Sequence, residues 1–435
     1  MKLTLYAKQA WQEAKAHPLY TTLYIVGVTL AIALTMIFTT YYYIRIAPIY
    51  PETNRSKTYY VRSAGMQHKT GDYVNRWWLG QTFADEVIYK LQNVEAATVC
   101  PSGTSAEIAS IPGEDELKME VAVNYADAGV FKVFDFDFLA GRPFSMEEYE
   151  SKVPVAVITD KVAQALFGSN FDDAIGKTLK TQSEYTVCGV VRTGSQLCNL
   201  SYADMYCPRK SLQSMYPNEI LGGGQAVLVV KDDAQYEAMT EEMDKLCEQM
   251  MAPIANEWEL DLGEQPKSHL RNVMQGLAID DADFSWWNIV RDNMLIIFVL
   301  LLVPALNMSG MISGNMDGRQ AEIGIRKSFG AKKSSLLAQI FTENLLYTLV
   351  GSLLGMIMSW LILYFCMKEI ILMMDPLMTY FFKDFDPQVT ASMLFSPTIF
   401  LIATGIILIF NTLSAVIPAW WSLRHNIVES LNKNR

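Results

Sequence analysis

Gly176, Lys177 and Thr178 reproduce the last three residues of a phosphate-cradling loop, in which backbone amides and a lysine hold a nucleotide. That chemistry needs another glycine five positions ahead of Gly176, and Phe171 stands there. The flanking Ile175 and Leu179 suit a turn that enters a strand. The acidic runs Glu114-Asp115-Glu116, Glu147-Glu148 and Glu241-Glu242 are the residue type that glycoside hydrolysis uses. Aromatic subsites and tuned burial would be required as well, and solvated surface is the simpler reading. Cys100, Cys188, Cys198, Cys207, Cys247 and Cys366 form no CxxC, and His17, His68, His269 and His425 are scattered without metal-ligand spacing. Cys198 and Cys207 either bridge a loop in an oxidising compartment or remain, like the others, free thiols. With no GxSxG elbow, no HExxH and no Cys/His pair, catalysis by this chain is not expected, nor is a bound metal. What stands out is residues 319–333, where Arg319, Glu322, Arg326, Lys327, Lys332 and Lys333 crowd between two long apolar runs. Such a stretch suits ion pairing and docking better than bond making.

The apolar runs set its surroundings. The chain has 435 residues, is 51% apolar, and partitions its charge. Residues 45–287 carry 21 Lys and Arg against 36 Asp and Glu, while the remainder has a small basic excess. An acidic block inside an apolar, mildly basic frame reads as a large water-exposed domain on a membrane unit, and nothing is basic enough for nucleic acid. Residues 22–44 form a first membrane-length run, flanked by Tyr20 and Tyr24 on one side and by Tyr41, Tyr42 and Tyr43 on the other. The run is too long for a signal-peptide core, and no small-residue cleavage site follows, so a retained anchor is expected. Further spans are expected at 288–313, which opens behind Trp286 and Trp287 and contains Pro304, at 336–367 and at 397–421. Residues 1–21 pattern as an amphipathic helix on the cytoplasmic face or as an extension of the first span. The positive-inside bias places residues 1–21, the loop 314–335 and the tail 422–435 in the cytoplasm. Residues 45–287 and the apolar outer loop 368–396 then lie outside. The expected fold is four transmembrane α-helices with a large α+β extracytoplasmic domain inserted between helices 1 and 2.

Glycines spaced by four recur in the spans, Gly310 with Gly314 and Gly351 with Gly355. Such pairs let helix backbones approach closely, within one bundle or against a second subunit. In the outer block, 153–158 reads as a buried strand, Asp160 as a helix cap, 161–167 as an amphipathic helix closed by Gly168, and 236–251 as another helix. Within 314–335 a helix from about Gln320 to Phe329 would put Ile323 and Ile325 against an apolar groove, pair Glu322 with Arg326 four residues on, and stop at Gly330. Anionic lipid would hold the same cations against the membrane surface. Glu343, inside the third apolar run, either snorkels to the interface or pairs with a cytoplasmic cation.

Taken in order, these residues resemble the permease family that includes FtsX, the LolC and LolE lipoprotein-release subunits and the membrane part of MacB. The charged stretch Glu322, Ile323, Gly324, Ile325, Arg326, Lys327, Ser328, Phe329, Gly330 is similar to that family's cytoplasmic loop. Asn124 to Asp127, Phe138 to Phe144, Val155 to Ile158 and Val187 to Val190 resemble the MacB-like periplasmic core domain, here with two subdomains. The end of the chain, Ile417 to Arg424, is similar too, although Ile427 stands where a proline is usual. The resemblance implies an inner-membrane permease subunit that dimerises with a second copy or a sister permease. It implies coupling to a cytoplasmic ABC ATPase through residues 322–330. No complete P-loop is present, so ATP is expected on a separate ATPase chain, with no cofactor on this one. The implied work is export or extraction of a lipid-like, peptide or lipoprotein substrate, with a periplasmic membrane-fusion protein or envelope factor as a further partner. The alternative is a non-transporting regulator that signals across the membrane to an envelope enzyme or sensor.

Overall fold

The computed structural model describes residues 8, 10–12, 14–71, 74–208, 214–215, 219–276, 284–300, 302, 333–374, 387, 394 and 397–422. The chain divides into two compact units, one made of Met1–Tyr43, Ser285–Met373 and Val389–Arg435, the other of Ile44–Phe284 and Met374–Gln388. The division between residues 43 and 44 falls inside a single continuous helix, Pro18–Ile46.

In the first unit, that helix starts after a bend at His17, with proline at the first helical position, where its missing N–H leaves nothing unsatisfied. It is longer at both ends than the expected 22–44. Tyr24, Val28, Ala31, Ile32 and Met36 form its buried face, packed with Ala403 and Ile407 of the helix Pro397–Ser422. Leu19, Leu23, Val26, Leu30 and Leu34 line an exposed face, as expected of a helix apolar all round. The helix Lys333–Met374 contains the expected run 336–367 and breaks helical geometry at Cys366 (φ −121°, ψ 18°). Among the described residues, Pro18–Ile46 and Phe341–Met374 are long and apolar enough to cross a membrane, and Phe400–Ile409 is a shorter apolar stretch. The run expected at 288–313 is helical over its described part, 288–300 and 302.

The second unit is α+β, and the two largest of its four sheets among the described residues have separate cores. An antiparallel sheet runs in the order Lys267–Ser268, Thr58–Val61, Gly224–Val229, Ala96–Pro101. Helix Asp233–Met251, capped by the Asp232 carboxylate on the Gln235 amide, packs Met239, Met243 and Cys247 in one core with Val61, Phe83 and Leu228. The other sheet runs in the order Phe138–Gly141, Glu184–Val191, Val155–Thr159, Met205–Pro208, Glu114–Ala126, Ser105–Ile111, Thr178–Lys180. Its last strand also pairs with Glu184–Val191, so the sheet closes on itself. Val155–Thr159 is buried at every position, which explains its unbroken apolar sequence. The Gly176 triplet is a turn with φ +78° at Gly176, leading into Thr178–Lys180.

One expected detail is corrected. Thr159, rather than Asp160, is the N-cap of helix Asp160–Phe167. The Asp160 carboxylate, in the first turn, accepts the backbone amide of Lys161 at 2.9 Å and also that of Thr193 at 2.9 Å, because the strand pairing of Thr159 with Val191 brings that loop beside it. All six cysteines are free thiols, and Cys207 sits in the core of the closed sheet. A fully buried carboxylate, Asp127, joins the two sheets. It accepts from the Val99 amide (2.8 Å), the Thr98 hydroxyl (2.9 Å), the Gly129 amide (2.6 Å) and the Tyr89 hydroxyl (2.7 Å). Burial raises its pKa and these donors oppose the shift.

Candidate functional site

The coupling residues expected from sequence, Glu322, Ile323, Gly324, Ile325, Arg326, Lys327, Phe329 and Gly330, lie outside the described residues, as do Gly310 and Gly314. The remaining expected positions, Gly351, Gly355 and Glu343, share one helix, Lys333–Met374. A Cβ at Gly351 would stand 2.7 Å from Val28 Cβ and 3.1 Å from the Ile25 carbonyl oxygen. One at Gly355 would stand 2.7 Å from Ile32 Cβ and from the Thr29 carbonyl oxygen. The glycine pair is therefore where this helix meets Pro18–Ile46 at backbone distance, which is the use that small residues have in membrane bundles. Polar contacts fix the register of the crossing. The Thr29 hydroxyl donates to the Gly351 carbonyl at 3.2 Å, and the Tyr24 and Thr348 hydroxyls lie 3.0 Å apart. Glu343 is buried at 5% exposure, and the Gln339 amide donates to it at 3.4 Å. Its neighbours Thr342 and Asn344 are also buried, so a polar patch faces inward at this end of the helix.

A second cluster, which sequence reasoning missed, lies in the other unit around the last turn of Pro18–Ile46. An α-helix leaves its final carbonyls without intrahelical donors. Here Arg55 supplies one, its Nη1 donating to the carbonyls of Ile44 (3.0 Å), Arg45 (3.2 Å) and Ala47 (2.8 Å). The His269 Nε2–H donates to the Arg45 carbonyl at 2.9 Å. A guanidinium at a helix C-terminus also meets the negative end of the helix dipole. Arg55 is 3% exposed and is neutralised by Glu52, which receives its Nε–H at 2.9 Å. The other oxygen of Glu52 accepts from the Ser201 hydroxyl at 2.8 Å, and Arg55 Nη2 reaches Cys198 Sγ at 3.2 Å.

The electrostatics of this cluster are internally consistent. Burial works against the charge of Arg55, but Glu52 and the other neighbours outweigh it and leave the pKa above its ordinary value. Burial, reinforced by Arg55, lowers the pKa of His269. His269 is then neutral with its proton on Nε2, since a carbonyl can only accept, and Nδ1 accepts from the Tyr60 hydroxyl at 2.8 Å. Every member has a partner. The arrangement has no acid–base pair facing a substrate; its chemistry is to hold a helix end.

Little in the sequence announced it. Arg55 sits in the polar stretch 53–57 and looks like surface, while Cys198, Ser201 and His269 lie more than 140 residues away. The one local signal was Glu52 three residues before Arg55, immediately after an apolar helix.

Residues 21–246 match the family model of the MacB-like periplasmic core domain, and residues 294–427 match that of the FtsX-like permease C-terminal region. The chain is 22% identical over 276 residues to the uncharacterized ABC transporter permease YknZ of Bacillus subtilis, covering 63% of this chain and 64% of that protein. It is 25% identical over 255 residues to the macrolide export ATP-binding/permease protein MacB of Pasteurella multocida, covering 54% of this chain and 35% of that protein. The chain thus spans less than two thirds of the length of these relatives. The periplasmic region of MacB from Actinobacillus actinomycetemcomitans aligns with a TM-score of 0.32 at 14% identity, covering 48% of this chain and 89% of that one.

Proposed function

The chain belongs to the ABC transporter permease family in which a MacB-like periplasmic core domain is joined to an FtsX-like permease region, and on that premise we propose that it couples ATP hydrolysis to movement of residues 45–287. The reading has four spans, both termini in the cytoplasm, and the α+β unit outside the inner membrane. The motor is an ABC ATPase on a separate chain, gripping residues 322–330. The permease works as a dimer with a second copy or a sister chain. The substrate is lipid-like, a peptide or a lipoprotein, exported or extracted on the outer side, and a periplasmic membrane-fusion protein is a further partner.

The observation that supports this reading best is the cluster around Arg55. A membrane-length helix ends on carbonyls held by side chains of the α+β unit, which leaves its last turn no slack. A displacement of the helix then reaches that unit directly. The buried, partnered groups suit transmission of force.

The test is ATP turnover of the reconstituted complex with its ATPase. Gly324→Trp and Arg326→Glu should lower permease-stimulated hydrolysis by on the order of tenfold or more, the equivalent of about 1.4 kcal/mol of lost coupling, with the chain still inserted and folded. Full stimulated turnover in both variants would sink the proposal.

A further inference from the structure

Ahead of the helix Pro18–Ile46, the chain is helical at each described position from 8 to 16 and bends at His17. A straight continuation of the helix would carry Ala10 about 21 Å along the axis from Tyr24, at about 1.5 Å per residue. The contacts are too short for that course. The Tyr347 hydroxyl donates to the Ala10 carbonyl at 2.8 Å, and the Tyr347 ring stands 5.8 Å from the Tyr24 ring. One side chain reaches both residues, so the bend folds the stretch around Ala10 back onto the helix Lys333–Met374. Ala10 itself is buried. Its neighbours differ in kind. Lys8, Trp11, Gln12 and Lys15 are exposed, Trp11 to 66%. Lys15 Nζ stands 5.4 Å from the centre of the Trp11 ring, within the range of a cation–π contact.

We propose that Lys8, Trp11 and Lys15 form a docking surface for the cytoplasmic leaflet of the bilayer, selective for anionic headgroups. Tyr347 ties Ala10 close to Tyr24, part of the aromatic flank where the first apolar run meets the interface. Trp11, the next residue, is held where an indole sits best, its ring at the acyl boundary and its N–H among polar headgroups. Lys15, over that ring, adds an ammonium at the same depth. The sequence before Pro18 holds Lys2, Lys8 and Lys15 against the single acid Glu13, a balance that matches an anionic surface. The surface also continues another. Leu19, Leu23, Val26 and Leu30, on the exposed apolar face of the next helix, begin four residues after Lys15. A soluble protein partner would leave that apolar face uncovered, whereas a bilayer covers both. The choice of leaflet rests on the orientation proposed above; the rest is independent of ATPase coupling.

The experiment places the full chain, without an ATPase, in nanodiscs, with a bimane label on Gln12→Cys in a Cys366→Ser background. The Cys366→Ser chain alone supplies the blank. A nitroxide near the top of a lipid acyl chain should quench the label strongly, and a water-soluble quencher only weakly. Carried on phosphatidylglycerol, the nitroxide should quench more than on phosphatidylcholine. Lys8→Gln and Lys15→Gln should each cut that preference about fivefold. Trp11→Ala should shift the label toward the soluble quencher in either lipid. Quenching by the soluble agent alone describes a helix standing in water and would overturn the proposal. A label that neither agent reaches would overturn it too, by placing this face against a second copy or another protein. Equal quenching from the two lipids would do the same. Full stimulated ATP turnover in Gly324→Trp and Arg326→Glu would leave these outcomes untouched, so the two readings fail separately.

Discussion

At the scale of single residues, the energetics turn on a charge that burial makes both costly and useful. Arg55 and Glu52 are each under a tenth exposed, and removing one partner strands the other away from water. Losing one member of such a pair typically costs about 3–5 kcal/mol. Arg55→Met should therefore lower the unfolding midpoint of the full chain more than Glu52→Gln, because it also strips the donors from three helix-end carbonyls. The Arg55→Met, Glu52→Gln double variant should lose less than the sum of the two single changes, as calorimetry or chemical denaturation in detergent would read. His269 adds a pH dependence. Its folded pKa lies below the ordinary 6.5, so the unfolded chain takes up a proton that the folded protein resists. Stability is full above about pH 6.5 and is lost as pH falls from there toward the lowered folded value. His269→Gln should flatten that acid-side slope in a series of unfolding midpoints between pH 5 and pH 7.5; an unchanged slope would assign the loss to other groups.

At the scale of elements, the crossing of Pro18–Ile46 with Lys333–Met374 gives a comparison with a built-in control. Gly351→Ala and Gly355→Ala force a methyl into distances of 2.7 Å and should destabilise the bundle by about 1–3 kcal/mol. Gly405→Ala, in the helix Pro397–Ser422, meets nothing within 4 Å and should be neutral or slightly stabilising. Thermal unfolding of the three variants in one detergent checks the ranking, and equal effects would count against the packing argument. The packing face at Gly351 and Gly355 was legible in sequence because spacing by four survives as a face on a helix, but its partner was not, since a second subunit could meet the same face as well as Pro18–Ile46 does. The strand Val155–Thr159 was legible for a similar reason, since burial on both sides leaves an unbroken apolar run. Asp160 was misplaced because Thr159 and Asp160 are both capping types, and only the pairing of Thr159 with Val191 decides between them. Arg55 was barely legible, with Glu52 three residues before it as the one local signal. It turns back onto helix-end carbonyls eight to eleven residues before it, and the fold adds Cys198 beside it and His269 on the Arg45 carbonyl.

At the scale of the whole molecule, the division between compact units falls within a helix, at Tyr43 and Ile44, where a loop would be the ordinary place for it. A helix has no hinge of its own, so bending there would cost hydrogen bonds, in contrast to a linker that turns freely. Inserting a Gly-Gly pair at this point should therefore leave both units folded and abolish permease-stimulated ATP turnover, while the same pair inserted in the exposed turn at Gly168 should not. The helix end also imposes an order on synthesis. The carbonyl of Arg45 leaves the ribosome 224 residues before His269, its partner. At about 5–20 residues per second, that carbonyl waits on the order of 10–45 seconds. During that interval Arg55 can already hold the carbonyls of Ile44, Arg45 and Ala47, while the bond from His269 is still missing. The His269 bond thus forms only once nearly all of the α+β unit has been made, so a chain truncated before His269 keeps the Arg55 half of the clamp and lacks the half that ties the helix end to the far end of that unit.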